Sequence, residues 1–213
     1  MKTFKQLAVA AALAATLPAF GAVIHLDFEG IGDQNPVGNF YNGGGGTNYG
    51  VSFSDATLAL VDADAGGSGN FANEPSPDTI MFFLDANDAI LTYAAGFDTG
   101  FSFWYTSSTA ATVTVWDGLG GTGNLLGSLD LRAQHTDNCV GDPTGTFCNW
   151  TAVGVKFDGI AKSINFGGTA NQTGYDNITF GSDVPVIPEP STYALMALGL
   201  AGIGLVARRR QRK

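Results

Sequence analysis

Short apolar and β-branched runs alternate with polar turns through the middle of the chain, and residues 23–187 show no sustained apolar period of 3.6. Residues 101–105 and 112–116 each place apolar side chains on one face and polar ones on the other, as in half-solvated antiparallel strands. Short strands at this spacing predict an all-β fold, an antiparallel β-sandwich of jelly-roll-like type. The predicted strands are 23–28, 50–54, 57–61, 79–84, 89–93, 100–105, 112–116, 125–131, 150–157, 163–166 and 175–180.

Two loops between these strands have unusual composition. Residues 42–46 are an asparagine followed by four glycines, which predicts a flexible turn. Residues 65–77 are rich in Gly, Ser, Asn and Pro. A loop of that length in a compact domain is either functional or disordered.

The N-terminal segment has the three parts of a secretory signal. Lys2 and Lys5 supply positive charge, residues 7–17 are apolar, and small residues follow at 19, 21 and 22. A plain membrane anchor is the alternative, but the apolar stretch is short for a span. We therefore predict a cleavable signal helix over residues 1–22.

The C-terminal segment also has three parts, beginning with a stiff proline-rich linker at 184–190. Residues 191–207 carry no charge and would span about 25 Å as a helix, which predicts a single transmembrane helix. The basic tail 208–213 begins with Arg208, Arg209 and Arg210, which predicts a stop-transfer signal on the cytoplasmic side. The domain at 23–183 would then lie outside the cytoplasm.

Charge is distributed unevenly along the 213 residues, whose formal net charge is −9. Residues 23–187 carry 18 acidic and three basic side chains, whereas both ends are basic. This balance argues against nucleic-acid binding, which needs a basic surface. It favours cations and neutral or cation-bridged glycans as partners.

The two cysteines, Cys139 and Cys148, are an even pair in a chain predicted to be exported, which predicts a disulfide. The chain-entropy model gives about 2–3 kcal/mol for closing a loop this short. A redox or metal-binding pair is the alternative, but the chain has no Cys-x-x-Cys.

Pro188, Glu189 and Pro190, followed by an apolar span and an arginine cluster, resemble the PEP-CTERM sorting signal of Gram-negative bacteria over residues 188–213. The resemblance implies processing by a membrane-embedded exosortase near this motif, transient membrane anchoring, and placement at the cell surface or in the extracellular matrix. That family is associated with exopolysaccharide and with biofilm or floc formation. An ordinary tail anchor is the alternative.

Residues 26–30 and 175–180 are similar to the first and last strands of secreted bacterial jelly-roll modules, carbohydrate-binding modules among them. Such modules carry a structural calcium where these strands meet, which implies a site at Asp27, Glu29 and Asp176. Calcium takes six to eight oxygen ligands, as an acidic exported domain can supply. Asp27 and Glu29 have the same strand parity, so both would face one side, either as ligands or as solvated acids.

Three aromatic residues flanked by Gly and Asn, namely Tyr41, Tyr49 and Phe71, are the candidates for a surface that binds sugar. The chain lacks the nucleophile-elbow, zincin and P-loop motifs, so we predict that it is not an enzyme. The sequence favours an exported, non-catalytic surface or matrix protein. A secreted polysaccharide-acting hydrolase and a calcium-dependent adhesion protein are the alternatives.

Overall fold

The computed structural model describes residues 23–137 and 146–185, and these residues form eleven β-strands in two antiparallel sheets. A wide helical turn at Phe40–Gly44 and a short 3-10 helix at Ala63–Ala65 connect some of them. All eleven predicted strands are confirmed. In chain order, β1 to β11 are Ile24–Leu26, Val51–Phe53, Thr57–Val61, Thr79–Phe83, Asp88–Phe97, Gly100–Ser107, Ala111–Trp116, Leu125–Leu131, Thr151–Lys156, Ala161–Gly167 and Thr173–Phe180.

The two sheets pack face to face as a β-sandwich. The first has the order β3-β4-β11-β6-β9, with β1 also paired to β11, and the second has the order β2-β5-β10-β7-β8. From β4 to β7, and again from β9 to β11, each successive strand lies in the opposite sheet. This alternation, with antiparallel pairing throughout, is the jelly-roll arrangement that the sequence predicts.

Aromatic side chains fill the space between the sheets. Phe101 and Phe103 from β6 contact Phe166 of β10, and Tyr175 of β11 contacts both Phe103 and Phe166. These rings are fully buried and mostly perpendicular, the arrangement that aromatic pairs prefer. The alternating apolar positions of the strands therefore form one continuous core.

Strand β11 has an unusual edge that positions the site described below. Strand β4 pairs with it at Tyr175, strand β1 pairs with it from Ile178 to Phe180, and β6 occupies its other edge. Since a strand has only two edges, β4 and β1 share one, and the gap between them falls at Asp176 and Asn177. The loop after β3 reaches this gap.

Several predicted features lie outside the described residues: the signal segment 1–22, Cys139, the sorting motif, the predicted transmembrane helix and the basic tail. Within residues 23–137 and 146–185 no helix is long and apolar enough to cross a bilayer. Cys148 is buried, but the disulfide that would join it to Cys139 stays a prediction.

Candidate functional site

A cleft of about 660 Å³ opens beside the end of β1, between that strand and the turn that follows residue 39. One wall carries polar side chains and the other carries aromatic rings and glycines. This combination suits a hydroxyl-rich ligand, which needs flat apolar surface and hydrogen-bonding groups together. The cleft is lined by His25, Asp27, Glu29, Gly30, Phe40, Tyr41, Gly45, Gly46, Thr47 and Tyr49.

The aromatic wall rests on a buried tyrosine. Tyr41 is 4% exposed, and its hydroxyl accepts a hydrogen bond of 2.7 Å from the backbone N–H of Phe28. Phe40 stands perpendicular to Tyr41 at 5.0 Å, and Tyr49 stacks on it at 6.3 Å. Phe40 and Tyr49 are both half-buried, so each presents part of its ring to the cleft.

The glycine run gives this wall its shape. A Cβ atom at Gly46 would lie 2.4 Å from the ring of Phe40, and one at Gly44 would lie 2.6 Å from the carbonyl oxygen of Asn39. Side chains at these positions would force the ring or the backbone to move. The predicted flexible turn is therefore a close-packed turn, in which glycine is needed for contact.

Two residues at the base of the site have strained backbones. Phe28, with φ of 64°, and Asn177, with φ of 51°, both lie in the left-handed region. For a bulky residue such as Phe28 this conformation costs roughly 1–3 kcal/mol and persists only where the surroundings impose it. At Asn177 the pairing of β11 with β6 also changes register, which marks a β-bulge.

Asp176 is fully buried at the gap in the β11 edge and binds the loop that follows β3. Its carboxylate accepts hydrogen bonds from the backbone N–H of Ser76 at 2.9 Å and from the Ser76 hydroxyl at 2.8 Å. The amide of the next residue, Asn177, is 1% exposed, and neither of its polar atoms has a hydrogen-bond partner among the described residues. Unsatisfied polar atoms at this depth are unusual in a folded protein.

Glu29 holds the next part of the same loop. Its carboxylate accepts hydrogen bonds from the backbone N–H groups of Asp78 and Thr79 and from the Thr79 hydroxyl, at 2.9–3.1 Å. Both carboxylate oxygens are therefore engaged within the protein. Together Glu29 and Asp176 attach the segment before β4 to the sandwich.

Burial dominates the protonation of this region. It raises the pKa of Asp176 to about 8, against the lowering effect of its hydrogen bonds from Ser76, and the charge of Glu29 adds to the rise. Burial likewise raises the pKa of Glu29, and it lowers the pKa of His25, which keeps that imidazole neutral near pH 7. No lysine or arginine of the described residues is ion-paired with Asp176.

The predicted calcium ligands lie in one region but are not assembled around one point. The described residues contain no group of three His, Cys, Asp or Glu side chains that could hold a metal ion. Strand alternation does not set the directions of Asp27 and Glu29, because β1 ends at Leu26 and Phe28 has a positive φ, although both residues line the cleft. Glu29 is instead directed to the backbone at Asp78 and Thr79.

The predicted sugar-binding aromatics are also separated. Tyr49 borders the cleft, as a surface site requires, and Tyr41 lies beneath it. The expectation that Tyr41 and Phe71 are surface residues is wrong. Phe71 is 3% exposed and packs perpendicular to Trp150, whose indole N–H donates to the Ala72 carbonyl. Loop 65–77 thus covers the outer face of the first sheet with its own small core.

The residues of this site that the sequence analysis does not predict include His25, Phe40, Ser76 and Asn177. Phe40 is adjacent to the glycine run, which was a usable signal for a ring packed against the backbone. Ser76 and Asn177 had no such signal. Ser76 lies 100 residues from its partner Asp176, and a β-bulge is not visible in composition.

The C-terminal sequence matches a known family model that is described as the PEP-CTERM protein-sorting motif. Residues 186–211 are a PEP-CTERM sorting motif. The chain is therefore an exported protein that is sorted to the cell surface, and the motif implies membrane association and processing by an exosortase. The match covers the C-terminal signal and does not extend into the β-sandwich.

Solved structures similar to this chain include carbohydrate-binding modules. A family 6 module is 18% identical, with 61% of this chain and 85% of that chain covered and a TM-score of 0.37. A module of Cellvibrio mixtus lichenase 5A, in complex with cellotriose, is 14% identical, with 60% and 87% covered and a TM-score of 0.34. A family 43 arabinoxylan arabinofuranohydrolase from Bacillus subtilis is 15% identical, with 61% and 25% covered and a TM-score of 0.38.

Among the curated proteins none matches this chain.

Proposed function

We propose that the exported β-sandwich binds a polysaccharide of the extracellular matrix, without cleaving it, in the cleft beside β1. The observation that carries this proposal is the pairing of the half-buried Phe40 and Tyr49 rings with polar side chains across the cleft. Sugar rings stack on flat aromatic surface, while their hydroxyl groups need acceptors and donors such as Asp27 and His25. The PEP-CTERM motif supports the proposal, because a protein that is sorted to the cell surface can meet extracellular polymers.

The non-catalytic part of the proposal rests on the carboxylates. Glycoside hydrolysis needs two carboxyl groups that face the scissile bond, one of them as a proton donor. Both oxygens of Glu29 accept hydrogen bonds from the loop, and Asp176 is fully buried beneath Ser76. Glu29 and Asp176 therefore stabilise the loop before β4. Asp27 also lies on the cleft wall, but its carboxylate does not bind that loop, so the cleft offers one such carboxylate and not the pair that hydrolysis needs.

Replacing Tyr49 by alanine should weaken binding of the producer's own exopolysaccharide at least about tenfold, equivalent to about 1.4 kcal/mol, because the stacking surface is lost. The matched control is Trp116→Ala. Trp116 is also half-buried and aromatic, but it lies on the outer face of the second sheet. Affinity electrophoresis of the wild type and both variants measures the effect. Equal weakening in both variants, or none in Tyr49→Ala, would rule out this cleft.

We also propose that calcium binds at the gap in the β11 edge. Two kinds of oxygen donor that calcium takes lie at this gap: the buried carboxylate of Asp176, which also accepts hydrogen bonds from Ser76 and from the N–H of Asn177, and the amide oxygen of Asn177. Asp27 contributes negative charge nearby, and a bound cation would neutralise the acids of this region. Such an ion would be structural, fixing the ends of the loop that follows β3.

Calcium in excess over its dissociation constant should raise the melting temperature. At a hundredfold excess the native state gains about 2.7 kcal/mol, which corresponds to roughly 5–10 °C for a domain of this size. Differential scanning calorimetry with calcium, with magnesium and with a chelator measures the shift. We expect calcium alone to stabilise the wild type and to have no effect on Asp176→Asn. Identical curves in calcium and chelator would contradict the proposal.

A further inference from the structure

One end of the sandwich is where the chain leaves toward its C-terminal segment. The first residue of β1, Ile24, pairs with Phe180, the last residue of β11, so Val23 and Gly181 lie at the same end. We call this the exit end. Three turns lie at the same end, namely those that join β5 to β6, β7 to β8 and β9 to β10. The strand registers show this, because the pairs next to the turns are Phe180 with Phe101, Gly100 with Lys156, Ala161 with Phe97, and Ser163 with Trp116.

Exposed apolar side chains are concentrated at the exit end. The described residues include six large hydrophobic side chains that are classed as exposed, and five of them lie here. Leu84, the sixth, follows β4 at the opposite end of the sandwich. Single exposed apolar residues are common, but a set gathered at one end of a domain marks a surface for a partner. The five are Val23, Leu119, Leu125, Ile160 and Val184, which are 50–66% exposed.

The loops that carry these side chains are held rigidly. In the turn between β7 and β8, the hydroxyl of Ser163 accepts from the N–H of Gly121 at 2.9 Å and donates to the carbonyl of Gly118 at 2.6 Å. The carboxylate of Asp117 closes the same loop by accepting two hydrogen bonds from Asn124. Leu119 is therefore presented outward on a fixed loop.

The exit strand is fixed as well. The N–H of Gly181 donates to the carbonyl of Gly100 at 3.0 Å, and Lys156 is 3.6 Å from the Asp183 carboxylate. A Cβ atom at Gly154 would lie 1.9 Å from the Asp183 carbonyl oxygen, so this segment lies directly on β9. Only five residues, 186–190, then separate Pro185 from the apolar stretch that begins at 191, a reach of about 20 Å at most.

We propose that the exit end rests on the lipid bilayer while the chain is still anchored, with Leu119 and Ile160 inserted among the acyl chains near the headgroups. The short linker holds this end close to the membrane, and the rigid loops present apolar side chains toward it. The sorting motif would thereby be held at the membrane surface, within reach of a membrane-embedded peptidase. This inference rests on the C-terminal signal and is independent of glycan binding.

The charges at the exit end indicate the kind of lipid. Asp98, Asp117, Asp158 and Asp183 lie here together with Lys156 and Lys162, which are the two lysines of residues 23–187. The excess of acids disfavours an anionic surface, so apolar contact is the attractive contribution. Zwitterionic lipid should therefore suffice, and added anionic lipid should weaken the contact.

The test uses the full, uncleaved chain in phosphatidylcholine vesicles whose lipids are brominated just below the headgroup. Tryptophan is placed at the exit end by Leu119→Trp and, as the matched control, at the opposite end by Leu84→Trp. We expect quenching to remove about half or more of the added fluorescence at position 119, as for a ring that contacts acyl chains, and none at position 84. Hydrogen exchange of the unmodified chain gives a second readout, with slower exchange over residues 117–124 on reconstitution.

Equal quenching at the two positions would mean that the tethered domain has no fixed orientation, which overturns the proposal. Absence of quenching at position 119, with unchanged exchange over 117–124, would mean that the domain stands off the membrane and would also overturn it. A contact that appears only when anionic lipid is added would contradict the apolar mechanism.

Discussion

Replacing Pro188, Glu189 and Pro190 by alanine should leave the protein uncleaved and retained in the membrane fraction. Proline restricts φ and favours an extended chain, and Glu189 is the single charged residue of 184–207. Alanine removes both the rigid shape and the charge that an exosortase would recognise. Cell fractionation and the mass of the C-terminal peptide measure the effect.

The matched control alters the linker just before the motif, with Val184 and Pro185 replaced by alanine. These changes shorten no part of the chain and leave residues 186–211 intact. Processing should then proceed as in the wild type. If the triple alanine variant matures and is released normally, the segment is an ordinary tail anchor.

Raising the pH from about 4 to about 8 in the presence of a chelator should destabilise the domain. The folded protein raises the pKa of Asp176 to about 8, whereas an aspartate in the unfolded chain titrates near 3.9. Between these values the folded state binds the extra proton, so the contribution of Asp176 to stability is fully present below about pH 4 and is lost as the pH rises toward 8. The loss is on the order of 2–5 kcal/mol, or roughly 10 °C in melting temperature.

The variant Asp176→Asn should remove most of this pH dependence, because asparagine keeps an oxygen acceptor for Ser76 but does not titrate. Asp85→Asn, at an exposed turn, is the matched control and should melt as the wild type does at every pH. Burial raises the pKa of Glu74 to about 7, so a smaller slope of the same sign should remain. A flat profile for the wild type, or an unchanged slope in Asp176→Asn, would show that Asp176 is not protonated in the fold.

The sequence predicts the strands well because a β-sandwich requires a recognisable pattern of apolar and polar residues in each strand. Each strand buries one face against the other sheet, so apolar and polar residues alternate, and turn residues mark where pairing stops. The prediction is weakest where this alternation is absent. Strand β5 continues through Ala94, Ala95 and Gly96 to Phe97, and these small residues lack the β-branched pattern that identifies a strand.

The site could be predicted only in part, because it is built from contacts between distant residues. Asp27, Glu29 and Tyr49, which the sequence analysis names, all line the cleft, and each of them flanks a recognisable strand or turn. Their partners depend on how loop 65–77 folds back onto the sandwich. The positive φ at Phe28 and the bulge at Asn177 also change the directions of neighbouring side chains, which in a regular strand would alternate between the two faces.

The structure shows what several of the acidic side chains of residues 23–187 do in the fold. Asp176 and Glu29 hold the loop before β4 by accepting backbone and hydroxyl hydrogen bonds, and Asp33 accepts one from the N–H of Val61 at the end of β3. These carboxylates are used in hydrogen bonds within the fold. They therefore do not all add to the negative charge of the protein surface. The cleft is therefore less negatively charged than the acidic composition of residues 23–187 suggests.

The most direct measurement of the central claim incubates the full chain with the producer's exopolysaccharide and follows both retention of the polymer and its chain length. Binding without any shortening of the polymer, weakened by Tyr49→Ala and not by Trp116→Ala, is the predicted result. Absence of binding, or a polymer that becomes shorter with time, would contradict an exported domain that binds polysaccharide without cleaving it.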